Sequence, residues 1–133
     1  METKKNIVAV DDSGIILKML ETLLSRQYEF HAFSKGMRAL KYLKEVTPDL
    51  IILDIEMPEI DGFEIMRLIK ENSYLKDVPV IFLTSNNDKY HVMKAIEAGA
   101  KDYVVKPIKE DILMDKVHTL LHEKKERLSW DDI

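Results

Sequence analysis

Five short apolar runs rich in β-branched residues alternate along this chain with stretches of helical period, and no other feature restricts its fold as tightly. The runs are Ile7–Val10, Phe30–Phe33, Leu50–Leu53, Val80–Leu83 and Tyr103–Val105. After the first, Ile16, Met19, Leu20 and Leu23 recur every three or four residues, and after the fourth Val92, Met93 and Ile96 do the same, the spacing of one helix face. Ser13, Ser34, Asp61 and Asp88 each stand just before a periodic stretch, where a side-chain oxygen can cap free helix N–H groups. The last stretch predicts a helix over Glu110–Glu126 with Leu113, Val117, Leu120 and Leu121 on one face. Parallel strands need a crossover connection, so strand and helix in alternation predict an α/β fold: a five-stranded parallel sheet with five helices on both faces. The second run, YEFHAF, alternates more than the others, as an edge strand does.

At 133 residues the chain suits one domain, predicted over 1–126, with 127–133, RLSWDDI, as a tail or the start of a linker. Trp130 in that tail could dock on a partner. The 24 acidic residues outweigh 20 Lys and Arg for a net charge of -4, which argues against a phosphate-backbone or anionic-membrane footprint. Without cysteine there is no disulfide framework and no thiolate zinc site. The start METKKNIVAVDD offers no signal-peptide core, and no apolar run approaches a membrane span. A soluble, cytoplasmic protein without direct nucleic-acid or membrane binding is the expectation.

The stretch 49–62, DLIILDIEMPEIDG, ends its apolar run in a carboxylate. In an open parallel sheet the carboxyl ends of the strands share one edge, and ligands bind where strand order reverses. The ends here are Asp11 and Asp12, Asp54, Thr84 and Ser85, and Lys106. In the doubly wound, flavodoxin-like order 2-1-3-4-5, strands one and three are neighbours, so the three aspartates meet. Carboxylates that close repel, and a divalent cation relieves them. Oxygen ligands alone favour Mg2+, with Mn2+ as a substitute, or Ca2+ over zinc. Lys106 and Thr84 could bind phosphoryl oxygens, and a carboxylate could act as nucleophile, so the inferred chemistry is phosphoryl transfer onto this protein.

These motifs, DD after the first strand, D-x-x-M-P-x-x-D-G over 54–62, T-S after the fourth and K-P at 106–107, resemble the receiver domains of two-component response regulators over Asn6 to about Glu123. The resemblance implies that Asp54 is the phosphoacceptor, with Lys106 and Thr84 assisting. It implies that Asp12 and Asp54 ligate Mg2+ directly, Asp11 largely through water, and Glu56 through its main-chain carbonyl. Thr84 and Tyr103 match the family's switch pair, and the Lys106–Pro107 bond is expected to be cis. Glu56 and Asn86 hold the positions that tune phosphate lifetime. The implied partners are a histidine kinase or histidine phosphotransfer protein as donor, and an unidentified effector, an effector domain of a longer chain, or a phosphorylated second copy as recipient. The expected output surface is α4-β5-α5. Such a protein catalyses its own phosphorylation and dephosphorylation while serving chiefly as a signalling switch.

Blander readings exist residue by residue. Asp11 and Asp12 could merely cap a helix, Thr84 could end a strand, Lys106 could be solvated, Met57-Pro58 could stiffen a loop and Gly62 could ease the start of a helix. His118 and His122 have i,i+4 spacing, yet without a third ligand they read as solvated, and the methionines read as core gap fillers. Among whole-protein alternatives, a docking-only receiver would not need the full chemical set. A haloacid-dehalogenase-like phosphatase would need D-x-D on its first strand, where this chain has Asp54-Ile55-Glu56 on its third. A flavodoxin-like cofactor binder would want a Gly- or Ser-rich loop in place of DDSGIILK.

Overall fold

The structure, a computed structural model, describes residues 3–86 and 88–126, the last four of these by backbone alone. The predicted tail, Trp130 included, lies outside the described residues. In chain order the elements are β1 (Asn6–Val10), α1 (Gly14–Leu24), β2 (Glu29–Phe33), α2 (Gly36–Leu43), β3 (Leu50–Asp54), α3 (Gly62–Glu71), β4 (Val80–Thr84), α4 (Lys89–Glu97), β5 (Asp102–Val105) and α5 (Glu110–Glu126). All pairings are parallel, and the sheet order is β2-β1-β3-β4-β5, as predicted.

Side chains of a strand alternate between faces, and here the alternation divides two cores. Val8, Val10, Ile51, Leu53, Val80 and Phe82 meet Ala39, Leu43, Ile65, Met66, Ile69 and Ala95 of α2, α3 and α4. Ile7, Ala9, Leu50, Ile52, Ile81, Leu83 and Val104 meet Leu20, Leu24, Leu113, Val117 and Leu121 of α1 and α5. Both central strands β3 and β4 are buried at every residue, which is why their sequences lack polar alternation. At the edge β2 leaves Glu29 and Ala32 exposed. Each buried aliphatic or aromatic chain contributes roughly 1.5–3 kcal/mol, so the sheet is held from both sides.

Three of the four expected caps form: Ser13 accepts from Ile16 N, Asp61 from Glu64 N and Asp88 from His91 N. Ser34 does not cap α2. The N-cap residue there is Lys35, with no side-chain bond, because the chain turns one residue later than the Ser signal suggests. The apolar stripe of α4 also departs from expectation. Only Ala95 is buried, while Tyr90, Met93 and Ile96 lie exposed. Met66 fills the core, but Met37 and Met93 face solvent, so the gap-filler reading fails for those two.

Candidate functional site

Strand register brings the acids together. β1 and β3 pair Val10 with Leu53, and continuing the ladder by one residue sets Asp11 beside Asp54. Asp54 in turn pairs with Leu83 of β4, and Thr84 with Val105 of β5. By the alternation of faces, Asp11, Asp54 and Lys106 share the side covered by α1 and α5, whereas Thr84 and Tyr103 share the side covered by α4. Strand parity thus separates the charged groups from the hydroxyl and the ring.

The Lys106 ammonium lies 2.9 Å from Asp11 Oδ2 and 3.3 Å from Asp54 Oδ1. Asp11 and Asp54 are buried and Asp12 is exposed. One carboxylate oxygen of each of the three aspartates lies within 4.8 Å of the others. Burial, and then the neighbouring Asp11, push the Asp54 carboxyl up to about 6, against the opposing pull of Lys106. Burial alone would lower the lysine, but Asp11 and Asp54 outweigh it and hold Lys106 above its ordinary value. Asp11 Oδ1 accepts from Ser13 N at 2.8 Å, a turn just ahead of α1, whose first amides are capped by Ser13 instead, so the reading of Asp11 as a helix cap is corrected. Its Oδ2 is buried with no hydrogen bond, meeting the Lys106 charge only as an ion-pair contact. Three carboxylates with one ammonium leave a net negative pocket, which a further cation would neutralise. The donor set is all oxygen, which fits a hard divalent ion such as Mg2+.

The loop after β3 is fixed by its backbone. Gly62 N donates to Ile55 O at 2.8 Å, and Ile60 N donates to Pro58 O across Glu59, whose φ is 70°, a γ-turn of the strained hand. A Cβ on Gly62 would sit 2.4 Å from Asp54 O and 2.8 Å from Ile55 Cα. Gly62 is therefore required by close backbone approach, and the reading of it as merely easing a helix start is corrected.

Thr84 is buried, and its hydroxyl donates to Asn86 O at 2.9 Å and accepts from Asn86 N at 3.0 Å. Asn86 Nδ2 donates across the pocket mouth to Glu56 Oε1 at 3.2 Å, a link the sequence gave no sign of. Tyr103 is half-buried. Lys116 holds it, donating to Tyr103 O at 2.9 Å and to Asp102 Oδ1 at 2.7 Å, with its ammonium 5.1 Å from the ring centre. Sequence reading missed Lys116, because its target is a main-chain carbonyl on another element. The Lys106–Pro107 bond is cis. Far from this edge, His118 is exposed, but His122 is half-buried with Nε2 3.3 Å from the Tyr28 hydroxyl, so its reading as solvated is also corrected. Among the described residues no helix is long and apolar enough to cross a membrane.

The comparisons with known proteins fit this geometry. The profile of the response regulator receiver domain matches residues 7–118. Transcriptional regulatory protein AfsQ1 of Streptomyces coelicolor is 39% identical over 127 residues, 95% of this chain and 55% of that protein. A probable cyclic di-GMP phosphodiesterase of Vibrio cholerae is 37% identical over 121 residues, 91% of this chain but 27% of its own length. The chain thus spans about half or less of these relatives. Among solved structures, the chemotaxis response regulator CheY4 of Vibrio cholerae superposes with a TM-score of 0.84 at 29% identity, covering 90% of this chain and all of that one. The BeF3-activated receiver domain of DrrB gives 0.83 at 35% identity, covering 90% and 99%. Receiver domains of this kind pair with histidine kinases in two-component systems. By sequence profile, by relatives and by the acid pocket at the carboxyl edge of its sheet, this chain belongs to the response regulator receiver domain family.

Proposed function

We propose that this domain accepts a phosphoryl group on Asp54 from a phosphohistidine donor and relays the change to its α4-β5-α5 face. The observation that carries this reading is the buried Asp54 carboxylate, 3.3 Å from Lys106 and clustered with Asp11 and Asp12. Asp12, Asp54 and the Glu56 main-chain carbonyl would hold Mg2+, with Asp11 reaching it through water. Bound there, the ion neutralises the acids and the incoming phosphoryl oxygens. An Asp54 oxygen attacks phosphorus as the bond to the donor imidazole nitrogen breaks, and that nitrogen keeps the electron pair. Lys106 balances charge on the transferring group. Ile15, exposed on the first turn of α1, offers an apolar contact beside the pocket for a histidine kinase or phosphotransfer protein. Ser85 is small and exposed, leaving water access to the acyl phosphate.

Intact mass after incubation with Mg2+ and a small acyl phosphate tests the reaction. A phosphoryl gain supports it; no gain leaves the docking-only reading in its place.

Lys106→Met should leave two buried carboxylates without their cation. Truncating one partner of a buried pair costs roughly 3–5 kcal/mol, and partial exposure of the ammonium places the expected loss near the lower end. Chemical denaturation without metal checks this, and the rate of phosphoryl gain should fall as well.

The Glu56–Asn86 bond spans the mouth through which water must reach an acyl phosphate. Glu56→Ala and Asn86→Ala should each change the phosphate half-life without abolishing phosphorylation, and the double variant should differ from the sum of the two effects. Decay of the phosphorylated mass with time measures it; unchanged half-lives in both single variants would count against a role at the mouth.

For output, a phosphoryl oxygen competes for the Thr84 hydroxyl, now held by Asn86, and departure of that hydroxyl leaves room for the Tyr103 ring on the same side of the sheet. Tyr90, Met93 and Ile96 of α4 and Ile112 of α5 are exposed apolar side chains, and a groove of about 310 Å³ between β5 and α5 is lined by Tyr103, Val105, Pro107, Ile112 and Lys116. Such a surface suits a partner or a second copy. Amide shifts with and without beryllofluoride should change on α4, β5 and α5; changes confined to the acid pocket would rule this relay out.

A further inference from the structure

We propose that Lys116 is a positioning residue for the Tyr103 ring: its ammonium, reaching from α5 round the open edge of the sheet, holds the ring in its resting place and so opposes activation. On the reading of this domain as a phosphoacceptor, on which this role rests, the ring turns inward when Thr84 gives up its hydroxyl position. Among the described residues β5 ends the sheet, so one side of its backbone has no strand to bond. Lys106 N donates to Thr84 O of β4, and backbone groups alternate in direction along a strand. Tyr103, three residues earlier, therefore turns its N–H and C=O toward the open edge. Side chains take both. Tyr103 N donates to Asp102 Oδ1 at 2.8 Å, and Tyr103 O accepts from Lys116 Nζ at 2.9 Å.

The same Asp102 oxygen lies 2.7 Å from the Lys116 ammonium. The ion pair thus closes around the Tyr103 peptide groups and stands in for a neighbouring strand. So anchored, the ammonium lies 5.1 Å from the centre of the Tyr103 ring, within the range at which an aromatic face attracts a cation. The ring belongs to the α4 side of the sheet and Lys116 to α5 on the other side. They meet only because the ring stands at the edge.

A ring turned inward, toward Thr84 on β4, leaves the ammonium behind. The two main-chain bonds do not depend on where the ring points. The cation–ring attraction therefore exists in one ring position and not in the other, which is what a contact needs to bias a two-state equilibrium. The main-chain bonds form the anchor, and the ring contact supplies the bias. For a partly exposed pair such as this, the attraction corresponds to roughly a two- to fivefold shift in population. By reciprocity the same factor applies to the affinity of any phosphoryl mimic that needs the ring turned inward.

The test measures beryllofluoride affinity in saturating Mg2+ by calorimetry, and Tyr103 side-chain rotamer populations by NMR couplings with neither present. Lys116→Met keeps an apolar stem without the charge, and Lys116→Gln also keeps a donor for Tyr103 O. Each should bind beryllofluoride about two- to fivefold more tightly than the parent and raise the inward Tyr103 rotamer by a similar factor. Lys116→Arg restores the cation and should return both quantities toward the parent's. In a Tyr103→Leu background, Lys116→Gln should leave the affinity unchanged, because the ring through which Lys116 acts is gone. A gain that persists in that background shows a merely structural role and overturns the proposal, as do unchanged rotamer populations in both Lys116→Met and Lys116→Gln. A parent that binds no beryllofluoride would count against the phosphoacceptor reading instead, and the ligand-free rotamer populations would then decide the role of Lys116 by themselves.

Discussion

Asp54→Asn is expected to abolish the phosphoryl gain and, in metal-free buffer near neutral pH, to make the fold more stable than the parent. The two effects have one origin. Asp54 is buried, faces Asp11 and is pushed up to about 6 from an ordinary value of 3.8. In the folded chain its charged form is therefore disfavoured relative to the unfolded chain. Between pH 3.8 and about 6 the folded state binds the extra proton, so stability falls as pH rises through that window and stays lowered above it. The penalty amounts to about 3 kcal/mol. An amide at the same place carries no charge and escapes it, although it leaves Lys106 with Asp11 alone, so a net gain of about 2 kcal/mol is expected above pH 6. Below pH 3.8 the difference should vanish. Urea denaturation of both proteins at pH 3.5 and 7.5 in the presence of a chelator measures this, with intact mass alongside. A variant no more stable than the parent at pH 7.5 would show that the pocket does not strain its central carboxylate. Magnesium should narrow the gap, because an ion that binds only the folded parent stabilises it by mass action.

Gly62→Ala should be the most damaging single methyl group in the chain. Alanine improves helix propensity by about 1 kcal/mol over glycine, and Gly62 opens α3, so propensity alone favours the change. Sterics decide otherwise. The new Cβ would meet the backbone carbonyl oxygen of Asp54 at 2.4 Å and the Cα of Ile55 at 2.8 Å, atoms that no side-chain rotation can move. Either α3 backs away from the sheet or the end of β3 shifts, and roughly 3–5 kcal/mol of stability is expected to go. The shifted atoms belong to the candidate phosphoacceptor itself, so the rate of phosphoryl gain should fall in the molecules that remain folded. Gly14→Ala is the control. Its Cβ would meet nothing within 4 Å, and the same propensity argument then predicts neutral or slightly raised stability. A melting temperature for Gly62→Ala within a degree or two of the parent would show that the β3–α3 junction is looser than its contacts imply.

Much of the site can be read in the sequence because the fold class fixes where strand ends go. Once LIIL and VIFL are taken as doubly buried strands, Asp54, Thr84 and Lys106 must share an edge with Asp11 and Asp12, and the register of β1 with β3 brings the acids side by side. Caps are legible where the signal is local, as at Ser13, Asp61 and Asp88, and misread at Ser34, where the turn falls one residue later. The α4 stripe was misleading for a related reason. Helical period reveals an apolar face but not what covers it, and Met93 and Ile96 are left to solvent.

By itself the sequence determined the order of elements, the parallel sheet and the set of chemical groups at its edge, because period, burial and crossover geometry are local or topological constraints. Only the tertiary structure decided how those groups are paired: Lys106 between Asp11 and Asp54, Asn86 bridged to Glu56, Lys116 under Tyr103, and Gly62 pressed on the Asp54 carbonyl. Such pairings join residues on different elements through side-chain length and backbone approach, and neither quantity leaves a periodic mark along the chain.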